Sequence, residues 1–514
     1  MTTTEREPPA EPRRAGHWRR MTRVTRAERV VIIGAGPAGL TAAYELLRQG
    51  IAATVLERDP RYVGGIARTV EHRGYRFDIG GHRFFSKSAE IEALWSEILG
   101  DELLERPRLS RIYYRGRFFD YPLRPRNILR NLGILETMLC LLSYAQARLG
   151  PISRPRTFED WVTNRFGARL FRIFFKTYTE KVWGISTTEL SADWAAQRIK
   201  GLDLATVLRH ALLPHWGARR GQAVKTLIDH FRYPRLGPGE MWETTRRRIE
   251  EGGGRVLLGH EVVRVMHDGY RARAVVARTP HGSERIFEAT HVISTMPIRS
   301  LVEICDPPLT ERLDETAAGL HYRDFVTVAL MIRAANLFPD NWIYVHDARV
   351  KVGRIQNFKN WSPHMVPDSE TTCLGLEYSC FEGDGLWSAS DEQLVALATR
   401  EVAELGFCGE RAVFDGVVVR QEKAYPVYDD GYLERVHAIR DELASRIPNL
   451  SLVGRNGMHH YNNQDHSMMT ALLVARNIAT GSRYDPWKVN TDAEYHEDAV
   501  EGPAHSGRLV PTRA

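Results

Sequence analysis

The sequence predicts an α/β fold, in which a discontinuous Rossmann-type nucleotide-binding domain carries an inserted helical domain and an antiparallel β-sheet domain. A short β-branched run at 29–33 leads straight into a glycine-rich turn, which is typical of a buried parallel strand before a phosphate-binding loop. Residues 101–225 then show mainly helical patterns, with helices predicted at 158–178 and 192–199. Apolar strands return at 252–265 and 325–332, and a further helix is predicted at 391–404. Segments far apart in the chain therefore complete the first domain.

The chain of 514 residues is long enough for two or three domains. Its first 29 positions hold eight arginines and few apolar residues, which predicts a disordered basic tail. The predicted units are the tail (1–28), the nucleotide-binding domain (29–100, 226–304 and 446–484), the mainly helical domain (101–225), the β-sheet domain (305–445) and a loose C-terminal tail (485–514).

Three glycines follow the first predicted strand with the spacing of a dinucleotide-binding turn. Gly34 permits the tight turn, Gly36 lets the backbone approach a pyrophosphate, and Gly39 lets the next helix pack closely on the sheet. The N-terminus of that helix offers free N–H groups and a partial positive charge to the phosphates.

A helix at 40–48 and a second strand at 52–56 complete this βαβ unit. Glu57 ends the second strand, 18 residues after Gly39, where an acid is expected to accept hydrogen bonds from ribose hydroxyls. A lone glycine motif is weak, but the strand, helix, second strand and terminal acid together make it specific.

Two further glycine pairs follow at short range. Gly64 and Gly65 precede Arg68, and the pair that ends at Gly81 precedes His82. Glycine pairs let the backbone run against a flat ring system and its phosphates, and Arg68 can face a phosphate charge. Ordinary surface turns are the alternative interpretation.

A second region of the chain is predicted to reach the same ligand. Gly454 and Arg455 stand at the end of a short strand, and a helix is predicted at 466–480 with its N-terminus directed at the ligand. Two distant segments that converge on one elongated ligand favour FAD over NAD as the cofactor.

Composition excludes several other functions. The net charge of +6 has no accompanying zinc spacing, aromatic RNA motif or basic helix, so we predict neither nucleic acid nor a metal as a ligand. Charged residues interrupt the most apolar stretch, 132–149, so no transmembrane segment is predicted and peripheral membrane contact stays open. Five widely spaced cysteines predict free thiols in a reducing cytoplasm. The sequence is compatible with a homo-oligomer.

The segment 158–190 places Tyr178 five residues before Trp183. It resembles the substrate-reaching segment of the UDP-galactopyranose mutase family, within the larger group of amine oxidases and protoporphyrinogen oxidases. The resemblance implies that Tyr178 and Trp183 bind substrate, with the tryptophan packed on the nucleotide base. It also implies that a following arginine, here Arg198, binds the diphosphate.

Two later segments resemble the same family. The run 321–323 resembles its Tyr-Arg pair, which implies that Arg323 also holds the diphosphate. The run 454–465 resembles its C-terminal flavin and substrate motif, which implies that Tyr461 and Asn463 line the substrate site. Tyr425 and Tyr378 are further candidates for this pocket.

The chain departs from the family pattern at several positions. His82 matches the first of two flavin-edge histidines and is assigned a catalytic role, but Phe85 stands at the second. Asn463 occupies the place of a family acid unless Asp465 substitutes for it, and Arg198 lies one residue further from the tryptophan than the family spacing. These changes affect the sugar and nucleotide more than the chemistry.

The resemblance implies a nucleotide-sugar mutase that interconverts a UDP- or GDP-linked hexopyranose, of the galactose type, with the hexofuranose. In that family, N5 of reduced FAD attacks the anomeric carbon, and no net redox change occurs. Arg198 and Arg323 would hold the departing diphosphate, since each offers forked donors to phosphate oxygens. NAD(P)H is a candidate reductant for the flavin.

Two other hypotheses compete with the mutase. A true flavin oxidoreductase, such as an amine oxidase or a protoporphyrinogen oxidase relative, is compatible with the fold. It would consume an electron acceptor with each turnover, whereas a mutase needs reduction once. A non-catalytic escort protein would purify without yellow colour, and the intact glycine and acid pattern argues against it.

Overall fold

The computed structural model of the protein describes residues 28–121, 123–192 and 230–490. The predicted Arg198 and most of the predicted helix at 192–199 lie outside these ranges, as do the tails before residue 28 and after residue 490. The strands are β1 (Val30–Ile33), β2 (Thr54–Leu56), β3 (Thr69–His72), β4 (Tyr75–Asp78), β5 (Leu103–Pro107), β6 (Ser110–Tyr114), β7 (Arg117–Asp120), β8 (His230–Pro234), β9 (Arg255–Leu257), β10 (Glu261–His267), β11 (Ala272–Arg278), β12 (Glu284–Glu288), β13 (His291–Ser294), β14 (Cys305–Asp306), β15 (Tyr322–Ile332), β16 (Trp342–Val345), β17 (Arg354–Asn357), β18 (Thr372–Cys380), β19 (Val413–Pro426) and β20 (Leu450–Leu452). The helices are α1 (Pro37–Arg48), α2 (Ala89–Leu99), α3 (Pro125–Leu132), α4 (Ile134–Leu149), α5 (Phe158–Phe166), α6 (Ala168–Phe171), α7 (Thr177–Trp183), α8 (Gly239–Glu251), α9 (Ile298–Glu303), α10 (Glu311–Ala318), α11 (Phe358–Trp361), α12 (Asp391–Glu404), α13 (Tyr432–Arg446), α14 (Gly454–Gly457) and α15 (Gln464–Thr480).

A five-stranded parallel sheet, in the order β20-β13-β1-β2-β9, forms the core of the predicted nucleotide-binding domain. Its strands come from three distant parts of the chain, and all four residues of β1 are buried. Helices α1 and α15 pack on one face, while the sheet β12-β11-β10-β14 and helices α9, α10 and α13 pack on the other. The predicted α/β fold with a discontinuous Rossmann-type core is confirmed.

Helix α1 begins earlier than predicted, at Pro37. Proline suits the first turn of a helix because its missing N–H has no intrahelical acceptor there. Gly39 packs directly against the turn that precedes the helix, and a Cβ atom at this position would lie only 1.9 Å from the carbonyl oxygen of Gly34. Glycine at 39 therefore sets how closely α1 approaches β1.

A seven-stranded sheet, in the order β19-β15-β18-β17-β16-β6-β7, forms the second half of the molecule. Neighbouring strands are antiparallel except β16 and β6. All eleven residues of β15 are buried, since the strand has partners on both edges and side chains packed on both faces.

The region 101–225 was predicted to be mainly helical, but it begins with strands β5, β6 and β7. Strands β6 and β7 form a hairpin around Arg115 and Gly116, both of which have positive φ. Ile112 and Tyr113 are adjacent and both buried, in two different core clusters, as expected of a strand whose successive side chains point to opposite faces. The helical prediction is therefore wrong for residues 103–120.

Helices α3 to α7 follow this hairpin. The helix predicted at 158–178 is divided into α5, α6, a π-helical turn at Arg172–Lys176 and α7. Gly167 separates α5 from α6 with φ +81°, and a Cβ atom there would lie 2.6 Å from the backbone nitrogen of Tyr144 on α4. This close approach fixes α4 against α5 and α6.

Candidate active site

The glycine turn after β1, predicted to bind phosphate, meets the acid at the end of β2. The Glu57 carboxylate accepts hydrogen bonds from the backbone N–H groups of Ala35 (2.7 Å) and Asp59 (2.9 Å). Burial raises the pKa of Glu57, and these two hydrogen bonds oppose the rise. Glu57 thus fixes the turn, and its carboxylate stands where a ribose is expected in such folds.

The glycine turns of the sequence motif meet backbone to backbone. A Cβ atom at Gly36 would lie 3.9 Å from the Cα of Gly65, and Gly64 has φ +97°. The first helical hydrogen bond of α1 runs from Leu40 N–H to the carbonyl oxygen of Gly36 (3.0 Å). The N–H groups of Ala38 and Gly39 therefore have no intrahelical acceptor and are available to an anion.

The glycine turns at 34–36 and 64–65 together form what is called the cradle. Arg68 contacts protein groups at its edge. Its Nη1 donates to the carbonyl oxygen of Gly65 (2.9 Å) and to Gln421 Oε1 (2.8 Å), and its Nε lies 3.8 Å from Asp59 Oδ2. Burial lowers the pKa of Arg68, and the charges of Asp59 and Glu57 oppose this. In this arrangement Arg68 joins the glycine turn to β19, a role that the sequence did not predict.

The C-terminal motif reaches the same cradle. Gly454 has φ +83°, and a Cβ atom there would lie 3.0 Å from the Cβ of Ala38 in the first turn of α1. Its N–H donates to Thr470 Oγ1 (3.0 Å) on α15. The two predicted cofactor-binding segments, about 415 residues apart in the chain, are therefore neighbours in the fold.

Arg455 belongs to an aromatic cluster that lies next to the cradle. Its guanidinium lies over the rings of Tyr461 (4.8 Å) and Tyr425 (5.2 Å), and these two rings stack at 5.6 Å and 10°. The rings of Trp183 and Tyr425 meet edge-on, with their centroids 6.4 Å apart. Three of the predicted site residues and the candidate Tyr425 thus share one cluster, whereas Tyr378 instead donates to Glu401 (3.0 Å).

A buried ion pair, missed by the sequence analysis, borders this cluster. Arg354 Nε and Nη2 both donate to Glu377 Oε2, at 2.9 and 2.6 Å. A Cβ atom at Gly81 would lie 3.3 Å from both Arg354 Nη1 and Gln356 Oε1. Burial alone would lower the pKa of Arg354, but the Glu377 charge holds it well above its ordinary range. The pair therefore supplies a fixed positive charge beside Gly81.

Tyr178 is half-buried and lies among other aromatic side chains. Its ring stacks on His346 (4.8 Å, 12°) and meets Tyr344 edge-on (5.4 Å). Burial raises the pKa of Tyr178 well above its ordinary value, and the nearby Arg354 charge opposes this rise. Tyr178 is thus a neutral side chain close to the Arg354–Glu377 pair.

His82 is half-buried, and its Nε2 atom is buried without a hydrogen-bond partner within the described residues. Burial, followed by the Arg455 and Arg354 charges, lowers the pKa of His82 to about 3. The imidazole is therefore neutral at physiological pH. A buried polar nitrogen without a partner is rare, and a ligand that reaches it would remove its desolvation cost.

Arg323 lies next to the predicted base-stacking tryptophan. Its Nε donates to the carbonyl oxygen of Val182 (3.2 Å), and its guanidinium lies 4.0 Å over the ring of Phe381. A Cβ atom at Gly184 would overlap the guanidinium at 2.4 Å, so the glycine after Trp183 makes room for it. Two residues predicted separately as substrate-binding, Trp183 and Arg323, are thus brought together.

Asn463 and Asp465 have other contacts. Asn463 is the N-cap of α15, and its backbone N–H donates to His466 Nδ1 (3.2 Å). Asp465 is buried and accepts from Ser86 Oγ (2.9 Å). These contacts anchor the start of α15.

Neutral buried histidines predict a specific pH dependence of stability. Burial lowers the pKa of His82 and His346 to about 3, and of His459 and His460 to about 4. Below 6.5 the unfolded chain binds protons that the folded chain excludes, so stability is lost as the pH falls towards these folded values. Burial raises the pKa of Asp78 from its ordinary value of 3.8 to about 7, so in this pH range the folded chain holds a proton that the unfolded chain has released. This proton offsets the one that a single histidine excludes.

We expect His346→Phe, which keeps the ring stacked on Tyr178, to reduce the slope of unfolding free energy against pH by about 1.4 kcal/mol per unit in this range. Denaturant unfolding at a series of pH values measures the slope. The exposed His281 is the matched control, and His281→Phe is expected to leave the slope unchanged. An unchanged slope in His346→Phe would contradict the prediction.

The comparison with known proteins identifies the family. The family model described as "Flavin containing amine oxidoreductase" matches residues 37–479. The chain therefore belongs to this family of FAD-dependent enzymes. A crystal structure of reduced UDP-galactopyranose mutase has the same fold, with a TM-score of 0.75 and 21% identity over 88% of this chain and 94% of that one.

Two curated relatives differ in their activities. A Klebsiella pneumoniae protein named as a probable UDP-galactopyranose mutase is 27% identical over 176 residues, which are 32% of this chain and 43% of that protein. The L-amino-acid oxidase of Mus musculus is 26% identical over 312 residues, which are 59% of this chain and 47% of the oxidase. The chain thus spans less than half the length of these relatives, although the resemblance to the mutase is confirmed.

Proposed function

We propose that the protein is an FAD-dependent nucleotide-sugar mutase that interconverts an NDP-hexopyranose and an NDP-hexofuranose. The observation that carries the proposal is the environment of Arg323. Its guanidinium is buried, yet within the ranges described it makes one hydrogen bond, to Val182. Burial lowers the pKa of Arg323, and this desolvation cost is repaid when an anion binds the terminal nitrogens.

The nearby carboxylates do not serve as partners for Arg323. Asp324 accepts from the backbone N–H groups of Lys423 and Glu382, and Asp384 accepts from three backbone N–H groups that begin at Phe381. The guanidinium is thus left for a ligand, and a diphosphate suits its forked donors. Held there, a departing diphosphate stays close enough for its return to be intramolecular.

The residues present fit FAD. The N–H groups at the start of α1 suit a pyrophosphate, Glu57 suits a ribose, and the partnerless Nε2 of His82 suits a polar atom of a ring. Gly34, Gly36, Gly64, Gly65, Gly81, Gly454 and Arg455 would form the rest of the cradle. When bound and reduced, FAD would supply the nucleophile that exchanges the bond at the anomeric carbon without net redox change.

The aromatic cluster supplies the proposed sugar and base contacts. Trp183 lies beside Arg323, is 2% exposed and packs in an apolar core cluster. We propose that the base binds at the edge of this cluster while its diphosphate binds the guanidinium. Tyr461 stacks on Tyr425 with the Arg455 guanidinium over both rings, and Tyr178 stands near the Arg354–Glu377 pair. Flat, rigid rings orient a sugar and exclude water from the reacting carbon. Arg198 is retained as a second proposed diphosphate ligand.

The experiment uses dithionite-reduced protein and a panel of UDP- and GDP-linked hexoses. The expected product is a new isomer of equal mass, resolved by chromatography, with no oxygen consumed per turnover. Oxidised protein is the control and is expected to be inactive. Oxygen consumption with an amine or amino acid, and no isomer from any nucleotide sugar, would instead support the oxidoreductase suggested by the family description.

A further inference from the structure

Helix α4 is oriented with its apolar side away from the protein. Several of its inward positions are polar or small, although Tyr144 also packs against the core. Glu136 accepts two hydrogen bonds from Arg169, and Ser143 Oγ accepts from the Arg169 backbone N–H (3.1 Å). Cys140 is the buried residue between them, so positions 136, 140 and 143 form one stripe against α5 and α6. A helix that only completes the core would have its apolar side facing the protein and its polar side facing solvent.

The outward stripe of α4 is strongly apolar. Eight of the fifteen large apolar residues exposed in the described ranges fall within residues 129–152, which is too concentrated for scattered surface exposure. Ile134, Leu135, Leu142 and Leu149 expose 59–88% of their surface. Their spacing places them along the whole outer side of the helix. This outer side, with Leu129 of α3, is called the α4 face.

Basic side chains surround the α4 face. Residues 115–156 contain eight arginines but only two acids, and the acid on α4 is already paired with Arg169. All eight arginines are exposed, and they include Arg126 and Arg130 near one end of α4 and Arg148 and Arg154 near the other. The face is therefore an apolar stripe within a positive border.

We propose that the α4 face is a docking surface for an anionic lipid bilayer. An interfacial helix of this kind buries its apolar side at the boundary between headgroups and acyl chains, while its arginines contact anionic headgroups. No single helix in the described residues is long and apolar enough to cross a membrane, and α3 and α4 are bent by 117° relative to each other. The two helices therefore lie on the bilayer surface as a bent pair and do not cross the bilayer.

The positive border of the α4 face favours a bilayer over a second copy of the chain as its partner. A two-fold dimer through this face would place the same patch against itself, so that one arginine border would meet another. Like charges brought together in this way oppose association, whereas anionic headgroups complement them. The observations thus favour lipid as the partner.

Vesicle flotation tests this proposal with the full chain. We expect the wild type to float with vesicles that contain phosphatidylglycerol, and to bind pure phosphatidylcholine vesicles and vesicles in high salt much more weakly. Leu135→Gln combined with Leu142→Gln is expected to reduce the bound fraction at least about tenfold. Every variant keeps the basic N-terminal residues, so a difference reports on the α4 face.

The matched control is Tyr270→Gln combined with Ile286→Gln, two residues that are 80% and 62% exposed away from this face. It is expected to bind vesicles like the wild type. Unchanged melting temperature and flavin content of both variants show that the fold is intact. Equal flotation of the patch variant and the wild type would overturn the proposal. Loss of a dimer in the patch variant, without any vesicle binding by the wild type, would overturn it too and assign the face to a second copy.

Discussion

Replacing Arg323 with alanine is expected to lower kcat/KM of the proposed isomerisation about 100- to 1000-fold. Arg323 is only 4% exposed, and its guanidinium makes one hydrogen bond within the described chain, to Val182. Charge that develops on a departing diphosphate in such a dry site is stabilised strongly, and this stabilisation is lost with the side chain. Steady-state kinetics with dithionite-reduced protein measures the change.

Arg333, at the opposite end of β15, is the matched control for this substitution. Its guanidinium also lies over a ring, that of Phe414 (5.0 Å), but it is exposed and far from the cluster. Arg333→Ala is expected to keep wild-type kinetics. Arg323→Lys should be intermediate, because lysine keeps the charge but lacks the fork. Activity of Arg323→Ala within about tenfold of the wild type, at equal flavin content, would remove Arg323 from the site.

The nucleotide-binding half was predictable because its signals are local. The strand, the glycine turn and the acid of the βαβ unit fall within 29 residues, from Arg29 to Glu57, and each has a short-range cause. The helix predicted at 391–404 is found at Asp391–Glu404, where Ser390 and Gln393 form a capping box. Such features need no knowledge of distant contacts.

The ion pair that borders the site could not be predicted in the same way. Arg354 and Glu377 meet because β17 and β18 pair in a register that sets these two residues opposite each other. Neither residue belongs to a motif, and arginine and glutamate on strands are commonly solvent-exposed. The hairpin β6–β7 was missed because the surrounding helices dominated the pattern of the whole region.

Stacking around Arg455 depends on distant contacts as well. Tyr425 ends β19 and Tyr461 precedes α15, and the cluster exists only once both elements have packed. The family resemblance supplied Tyr461, whereas Tyr425 was one of several tyrosines that could have lined the pocket. Motifs thus located the cradle, and the fold selected the aromatic residues.

Removing Glu377 is expected to destabilise the protein more than any exposed ion pair does. Arg354 and Glu377 retain only 21% and 13% side-chain exposure, and the guanidinium holds one carboxylate oxygen with two nitrogens. Glu377→Ala leaves a buried positive charge without its partner, which costs about 3–5 kcal/mol of unfolding free energy. Denaturant unfolding of the flavin-loaded protein measures this loss.

Two controls separate the loss of a partner from the loss of a side chain. The double variant Arg354→Met with Glu377→Leu removes both charges and is expected to recover most of the lost stability, because buried pairs contribute little net free energy relative to apolar side chains. Glu261→Ala breaks the exposed pair with Arg278, which is 3.2 Å long, and should cost under about 1 kcal/mol. If Glu377→Ala costs no more than Glu261→Ala, the positive charge beside Gly81 does not depend on Glu377, and water or another group must compensate it.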